Sequence, residues 1–272
     1  MANGWRRRLL GALGCGLALS LTACGSQGAA GSKFRPLQPG VLKVATAFLP
    51  APGFWQGRTV AAGGFEAGLA LALAHKLGLQ RVEVVQVPFA SITSGKLGGA
   101  DLALSQITPT SERSKVEDFS TPYLDAPPGI LVRAGIRAPD EQTLRGLQWV
   151  VSRLSTLTPI LLSRVRPIVP PVETTDRTEA LRVLRAGRAD ALLLDLPVAL
   201  GLARADPHTF AVAGQLDGTE GLAAVLPKGS PNDEIVNSAI RALQADGTVD
   251  SLVHRWLGTS ESDVPLIPTQ AS

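Results

Sequence analysis

Between Val41 and Gly258 short apolar runs alternate with stretches of helical length, and no segment repeats another. Strand-like and helix-like pieces in alternation restrict a chain to layered α/β architectures with largely parallel sheets. Strands are expected near 41–46, 82–87, 100–104, 127–134, 148–152, 168–171, 190–194 and 222–227. Helices are expected at 65–78, 89–96, 111–116, 141–146, 156–165, 175–187, 196–205, 231–245 and 248–257. Local signals support the helix ends: Glu66 lies in a first turn, Gly78 and Gly187 follow last turns, and Thr174 or Thr175 precedes Asp176 as a cap. Pro231 and Asn232 open the penultimate helix and Asp246-Gly247 closes it. About 220 residues of this kind exceed a single comfortable core. The long strands at 127–134 and 222–227, beside Gly129 and Gly221, are placed to cross between two lobes, with a ligand cleft where strand ends and helix starts converge.

The formal charge of +3 suggests a nucleic-acid partner until the charges are located. Three of the 26 basic residues are Arg6, Arg7 and Arg8, and without them 23 basic residues face 23 acidic ones. With no basic run in the remainder to release phosphate counterions, nucleic-acid binding is excluded as an expectation. The arginines belong to a signal-peptide pattern over 1–23, a positive flank followed by the apolar stretch Leu9 to Leu21, too short to span a bilayer. It ends in Leu21-Thr22-Ala23-Cys24, followed by Gly25 and Ser26, which resembles the bacterial lipobox. That resemblance implies diacylglycerol on Cys24, and two acyl chains anchor stably where one does not. An ordinary secretory peptide cut near Ala23 and a twin-arginine signal are the other readings of the segment. Residues 24–40, mostly Gly, Ser, Gln and Pro, are expected to form a flexible lipid-anchored tether, and 259–272 a disordered tail. Both cysteines fall within the first 24 residues, so thiol catalysis and cysteine metal sites are excluded from the folded part.

The stretch from Ala100 to Arg113 (ADLALSQITPTSER) carries the most chemistry. A buried strand ends at Ser105, a hydroxyl-rich turn follows, and Thr110 caps a short helix whose first turn holds Arg113. Free N–H groups at a helix start, short hydroxyls and a guanidinium able to form two parallel bonds are what a small carboxylate requires. An ordinary capped helix with a solvated arginine is the blander account of the same residues.

This run, together with Gly64-Phe65-Glu66, Phe119-Ser120-Thr121-Pro122-Tyr123, Arg185 to Ala191 (RAGRADA), Leu226 to Ser230, Asn237, Asp246-Gly247-Thr248 and Trp256-Leu257-Gly258, resembles the family 3 extracellular solute-binding proteins of polar amino acid ABC importers. The resemblance covers about residues 41–258. It implies a type II periplasmic-binding-protein-like fold: two α/β lobes, each a mostly parallel sheet flanked by helices, with 41–130 plus 225–258 as lobe 1 and 131–224 as lobe 2. Carried over by position, it makes Arg113 and Thr108 ligands of an α-carboxylate and puts Ser105 and Gln106 on the ammonium side, through backbone or side chain. It assigns Asp195, from the second lobe, to the ammonium, and Ser155 and Thr156 to further carboxylate contacts. Leu154 stands where the family usually has glycine, and Gly68 where the signature has a second acid, at a position facing away from the pocket. The loop Phe48 to Trp55 contains no acid. Its Phe54 and Trp55 are candidates to stack on a ligand, with Phe48 equally suited to the core. Arg153, beside the second-lobe helix, could meet an acidic ligand or remain solvated.

The scattered His75, His208 and His254 lack metal spacing, and no Gly-x-Ser-x-Gly nucleophile elbow, Walker loop or His-Glu-x-x-His zinc motif is present. No cofactor, metal or catalytic residue is expected. The resemblance thus implies a monomeric, membrane-tethered, extracytoplasmic protein that closes its lobes on an amino acid or similar zwitterion and delivers it to ABC permease subunits. With no acid in the 48–55 loop, a neutral, polar or aromatic amino acid is expected over lysine or arginine. Two alternatives share the fold: a cyclohexadienyl-dehydratase-like enzyme, and a ligand-sensing subunit of a signalling receptor.

Overall fold

The computed structural model describes residues 33–218, 220–258 and 263–269. The signal peptide and Cys24 therefore lie outside the described residues. The chain builds lobe 1 first, with β1 (Val41–Thr46), α1 (Phe65–Lys76), β2 (Arg81–Gln86), α2 (Phe89–Ile92), β3 (Leu102–Ile107), β4 (Glu117–Phe119) and β5 (Leu124–Asp125). It then forms lobe 2 with β6 (Pro128–Arg133), α3 (Glu141–Gly146), β7 (Trp149–Ser152), α4 (Leu157–Ile160), β8 (Val172–Thr174), α5 (Arg177–Arg185), β9 (Ala191–Asp195), α6 (Leu196–Ala205) and β10 (Phe210–Gln215). It returns to lobe 1 through β11 (Gly221–Pro227), α7 (Asp233–Ala245) and α8 (Thr248–Trp256).

The lobe 1 sheet has the order β2-β1-β3-β11-β4, with β5 also paired to β11, and the lobe 2 sheet the order β10-β6-β9-β7-β8. Parallel pairing joins β1 to β2 and β3, and β7 to β8 and β9; the pairs that involve β6, β10 and β11 otherwise run antiparallel. Both sheets are thus mixed, because the strands that carry the chain into and out of lobe 2 run against those formed by crossover helices.

The long strands do not themselves cross between lobes. β6 pairs wholly within the second sheet and β11 wholly within the first, so the connections are the short segments 126–127 and 216–220, and each boundary falls a few residues before the expected one. The two connections run side by side: Ala126 N donates to Glu220 O at 2.8 Å and Leu216 N to Pro128 O at 2.8 Å. Glycine is needed beside them, since a Cβ on Gly129 would approach the Leu196 Cα to 2.8 Å.

Several expected elements shift for local reasons. The strand expected at 168–171 forms instead at 172–174, because Pro170 and Pro171 offer no N–H to a ladder. The helix expected over 156–165 splits into α4 and a single π turn at Leu161–Val165, and that expected over 111–116 contracts to a 3-10 turn at Arg113–Lys115. β10, absent from the sequence reading, is an Ala- and Gly-containing run with weak strand propensity that pairs with β6.

Both terminal expectations need correction where the structure describes them. Residues 34–40 are folded, not tether: Phe34 is buried, Asn232 bonds both Arg35 N and Arg35 O, and Leu37 N donates to Asp101 Oδ1 at 2.7 Å. Within the tail expected to be disordered, residues 263–269 dock on lobe 2. Gln215 N donates to Pro265 O, Ile267 N donates to Gln215 O, and the Ile267 side chain enters the lobe 2 core beside Leu216. Gly214 makes the room, since a Cβ there would lie 2.6 Å from Ile267 Cδ1.

Candidate functional site

The cavity between the lobes is walled by the ends of β3 and β9, the turn before α4 and the start of α5. Its lining includes Gln106, Thr108, Arg113, Ser155, Thr156 and Asp195, so six of the nine expected ligand-binding residues come together.

From lobe 1, the turn after β3 positions Arg113 much as its hydroxyl-rich sequence suggests. Thr110 Oγ1 accepts from Arg113 N at 3.1 Å, Arg113 Nη1 donates to Thr108 O at 2.8 Å, and the guanidinium carbon lies 5.8 Å from the centre of the Phe89 ring. Its second arm crosses the cleft, Nη2 donating to Leu154 O at 3.2 Å. Leu154, at the position usually held by glycine, thus presents its carbonyl to the site. Ser155 Oγ accepts from Leu157 N at 3.2 Å and helps start α4, while Thr156 makes no capping bond with its side chain.

Gln106 is held in a left-handed conformation, with φ of 48°. A non-glycine residue there is strained, and such strain collects at functional sites. Its backbone N–H and side-chain amide both donate to the Glu66 carboxylate, at 2.8 and 2.5 Å, and Tyr123 OH donates to the same group at 2.7 Å. Glu66 is fully buried, and burial pushes its carboxyl upward against the opposing pull of these donors. The signature acid therefore anchors the strand end that carries Gln106 and does not itself line the cavity.

Three expected ligand contacts lie elsewhere. Ser105 points behind the strand, where its Oγ accepts from Ala47 N at 3.1 Å. Phe54 is fully buried, packed edge-on against Phe65 at 5.8 Å, because the loop reaches the cleft only at Leu49 and turns into the lobe 1 core by Phe54. Trp55 donates its ring N–H to Leu104 O and meets Phe48 edge-on, so it too serves the lobe. Leu49 and Phe89 supply the apolar lining in their place. Gly68 packs on α8, where a Cβ would meet the Leu252 side chain at 2.5 Å. Arg153 pairs with Glu173 at the exposed surface.

From lobe 2, Asp195 ends β9 and is buried, which pushes its carboxyl up, opposed chiefly by the Arg177 guanidinium. Arg177 Nη2 lies 3.6 Å from Asp195 Oδ2, and Nη1 donates to Gln106 Oε1 across the cleft at 3.2 Å. The sequence reading missed Arg177, yet a signal existed. An arginine as the first residue of a helix opposes the helix dipole, and a residue that breaks a local rule marks a place where something other than local stability is served.

Behind Arg113, Glu117 is fully buried, and among the described residues only the Gly95 backbone, too far for a full hydrogen bond, approaches its carboxylate. Burial pushes it up to about 7, with the Arg113 guanidinium pulling the other way. The folded state holds this proton more tightly than the unfolded chain does. Glu117 therefore withdraws stability as pH rises from its ordinary value near 4.5 through about 7. Glu117→Gln should raise the melting temperature at pH 8 by about 5 °C and change it little at pH 5. Equal shifts at both pH values in differential scanning calorimetry would contradict this.

Two α/β lobes joined by a double connection, with paired guanidinium and carboxylate groups facing each other across the cleft, define a two-lobed solute-binding protein of the type II class. The family model for bacterial extracellular solute-binding proteins, family 3, matches residues 43–259, and the chain belongs to that family. It is therefore an extracytoplasmic protein. It is 32% identical over 220 residues to the L-cystine-binding protein TcyJ of Escherichia coli strain K12, covering 76% of this chain and 79% of the relative. Among solved structures it resembles an amino acid ABC transporter substrate-binding protein from Streptococcus pneumoniae bound to L-arginine. That match has a TM-score of 0.67 and 28% identity over 81% of this chain and 95% of the other. It also resembles the ancestral amino acid-binding protein AncCDT-1, a precursor of cyclohexadienyl dehydratase, with a TM-score of 0.64 and 29% identity over 80% and 95% of the two chains.

Proposed function

We propose that this chain captures an amino acid in the cleft and delivers it to the permease of an ABC importer. The observation that carries the reading is the pairing of Arg113 from lobe 1 with Asp195 from lobe 2 on opposite walls of one cavity. Arg113 takes the α-carboxylate, helped by Thr108 and by Thr156 at the start of α4, and Asp195 and Gln106 face the ammonium. Because the ligand contacts both lobes, its binding energy favours the closed arrangement over the open one, and the permease reads that population. The amino acids named for the relatives support this substrate class.

The protein acts as a binder and not as a catalyst. Asp195, the acid an elimination would call on, is engaged by Arg177. A thermal-shift screen over the standard amino acids and L-cystine tests the reading. A ligand at 100 times its dissociation constant adds about 2.7 kcal/mol of stability, an upward shift of about 5–10 °C in a chain of this length. No shift with any of them, or turnover of prephenate or arogenate, would contradict it.

Anchoring rests on Leu21 to Cys24 and the polar residues behind them. The mature chain is expected to begin at Cys24 with acyl chains on its sulfur. Intact-mass spectrometry of membrane-fractionated protein checks this, and an unmodified N-terminus would refute it.

A further inference from the structure

The ligand scheme above leaves one cleft residue unexplained. Arg177 lines the cavity with its side chain 13% exposed, and of the five N–H donors on a guanidinium only one makes a hydrogen bond among the described residues, to Gln106 Oε1. Its charge meets Asp195 at 3.6 Å, a distance longer than a hydrogen bond. Nothing about the helix favours it, since α5 already has its cap in Asp176, whose side chain accepts from Glu179 N at 2.9 Å. A buried guanidinium with unused donors is expensive unless another group completes its shell.

The charges of the cavity point to that group. Its ionisable lining consists of Arg113, Arg177, Asp176 and Asp195, and Asp176 is exposed and occupied in capping. Of the acids behind the wall, Glu117 and Glu220 act on Arg113, and Glu66, which acts on Arg177, is saturated by Gln106 and Tyr123. Among the side chains that line the cleft two guanidinium groups face one buried carboxylate, and the acids behind the wall that remain open to a cation, Glu117 and Glu220, serve Arg113 and not Arg177. A ligand with a single carboxylate satisfies Arg113 and leaves Arg177 short of an acceptor, and a ligand with a cationic side chain adds to the imbalance.

We propose that Arg177 is a specificity-determining residue that receives a second carboxylate of the ligand, so that the cleft selects small molecules with two carboxylates. The inference rests on the amino-acid reading of Arg113 and replaces the neutral side chain expected from the 48–55 loop. L-glutamate and L-cystine are amino acids of this kind, and glutarate carries the same two carboxylates without an ammonium.

Titration calorimetry of wild type, Arg177→Gln and Arg177→Lys at pH 7.5 with L-glutamate, L-cystine, glutarate, L-glutamine and L-arginine tests it. Wild type should bind glutamate or cystine at least about tenfold more tightly than glutamine, and arginine most weakly. Arg177→Gln should weaken the two-carboxylate ligands by about 100-fold and glutamine by less than about threefold. Glutarate binding close to that of glutamate would support the second-carboxylate contact as dominant. Much weaker glutarate binding would support an acidic amino acid as the form recognised. If Arg177→Gln does not fold by circular dichroism, Arg177→Lys carries the test, because it keeps the charge, loses the planar fork and should cost the same ligands about tenfold. Glutamine or arginine binding tightest, with Arg177 variants unchanged, would overturn the inference and leave amino-acid binding intact. No binding of any of the five, with none of the amino acids active in the thermal-shift screen, would overturn both.

Discussion

Arg113→Ala is expected to weaken the binding of every amino-acid ligand by at least about 100-fold while the protein keeps its fold. The guanidinium is partly buried between Phe89, the Thr108 carbonyl and the Leu154 carbonyl of the other lobe. A ligand carboxylate placed against it is desolvated on closure, and removing one partner of such a pair costs roughly 2–5 kcal/mol, much of it from leaving the other charge unpaired. Arg113 also supplies a hydrogen bond across the cleft, as Arg177 does to Gln106. The loss should therefore appear mainly as faster dissociation. Calorimetry and stopped-flow fluorescence measure the two quantities, and unchanged affinity would remove Arg113 from the site.

Phe54→Ala is expected to do the opposite, destabilising the protein without touching recognition. Phe54 is fully buried, packs edge-on against Phe65, and belongs to the main core with Leu69, Leu73 and Tyr123. Truncating a phenylalanine in such a setting costs about 3–5 kcal/mol, since the cavity left behind collapses only in part. The melting temperature should fall by about 10 °C. Ligand affinity of the folded protein should stay within about threefold, because only the backbone of residue 54 holds the start of α1, accepting from Glu66 N at 3.1 Å. Preserved stability with lost affinity would return Phe54 to the cleft, where the sequence had suggested it.

The contrast between these two residues shows where sequence reasoning succeeds. Arg113 is found because its chemistry is local: strand, hydroxyl turn, cap and guanidinium lie within nine residues, and Thr110 closes the turn as its side chain predicts. β1, β9, α6 and α7 are legible for the same reason, their apolar runs and end signals being internal to each segment. Phe54 is misread because the direction of a loop is decided by packing against residues far along the chain. Gly64 lets the loop pass close to α1, since a Cβ there would lie 2.3 Å from Phe54 O, and no local rule reports that. β10 and residues 263–269 fail in a related way, since β10 is held by its pairing with β6 and residues 263–269 by their bonds to Gln215, all contacts with distant parts of the chain. Arg177 is a different case: its conflict with the helix dipole was visible, but its partners Asp195 and Gln106 come from separate strands and only the fold brings them together.

A crystal structure of the complex with the tightest amino acid from the thermal-shift screen tests the central claim most directly. The account predicts the ligand in the cleft with its α-carboxylate within about 3 Å of the Arg113 guanidinium and with direct contacts to Asp195 or Thr156 of lobe 2. A ligand bound outside this cavity, or held by one lobe with its carboxylate turned away from Arg113, would contradict it.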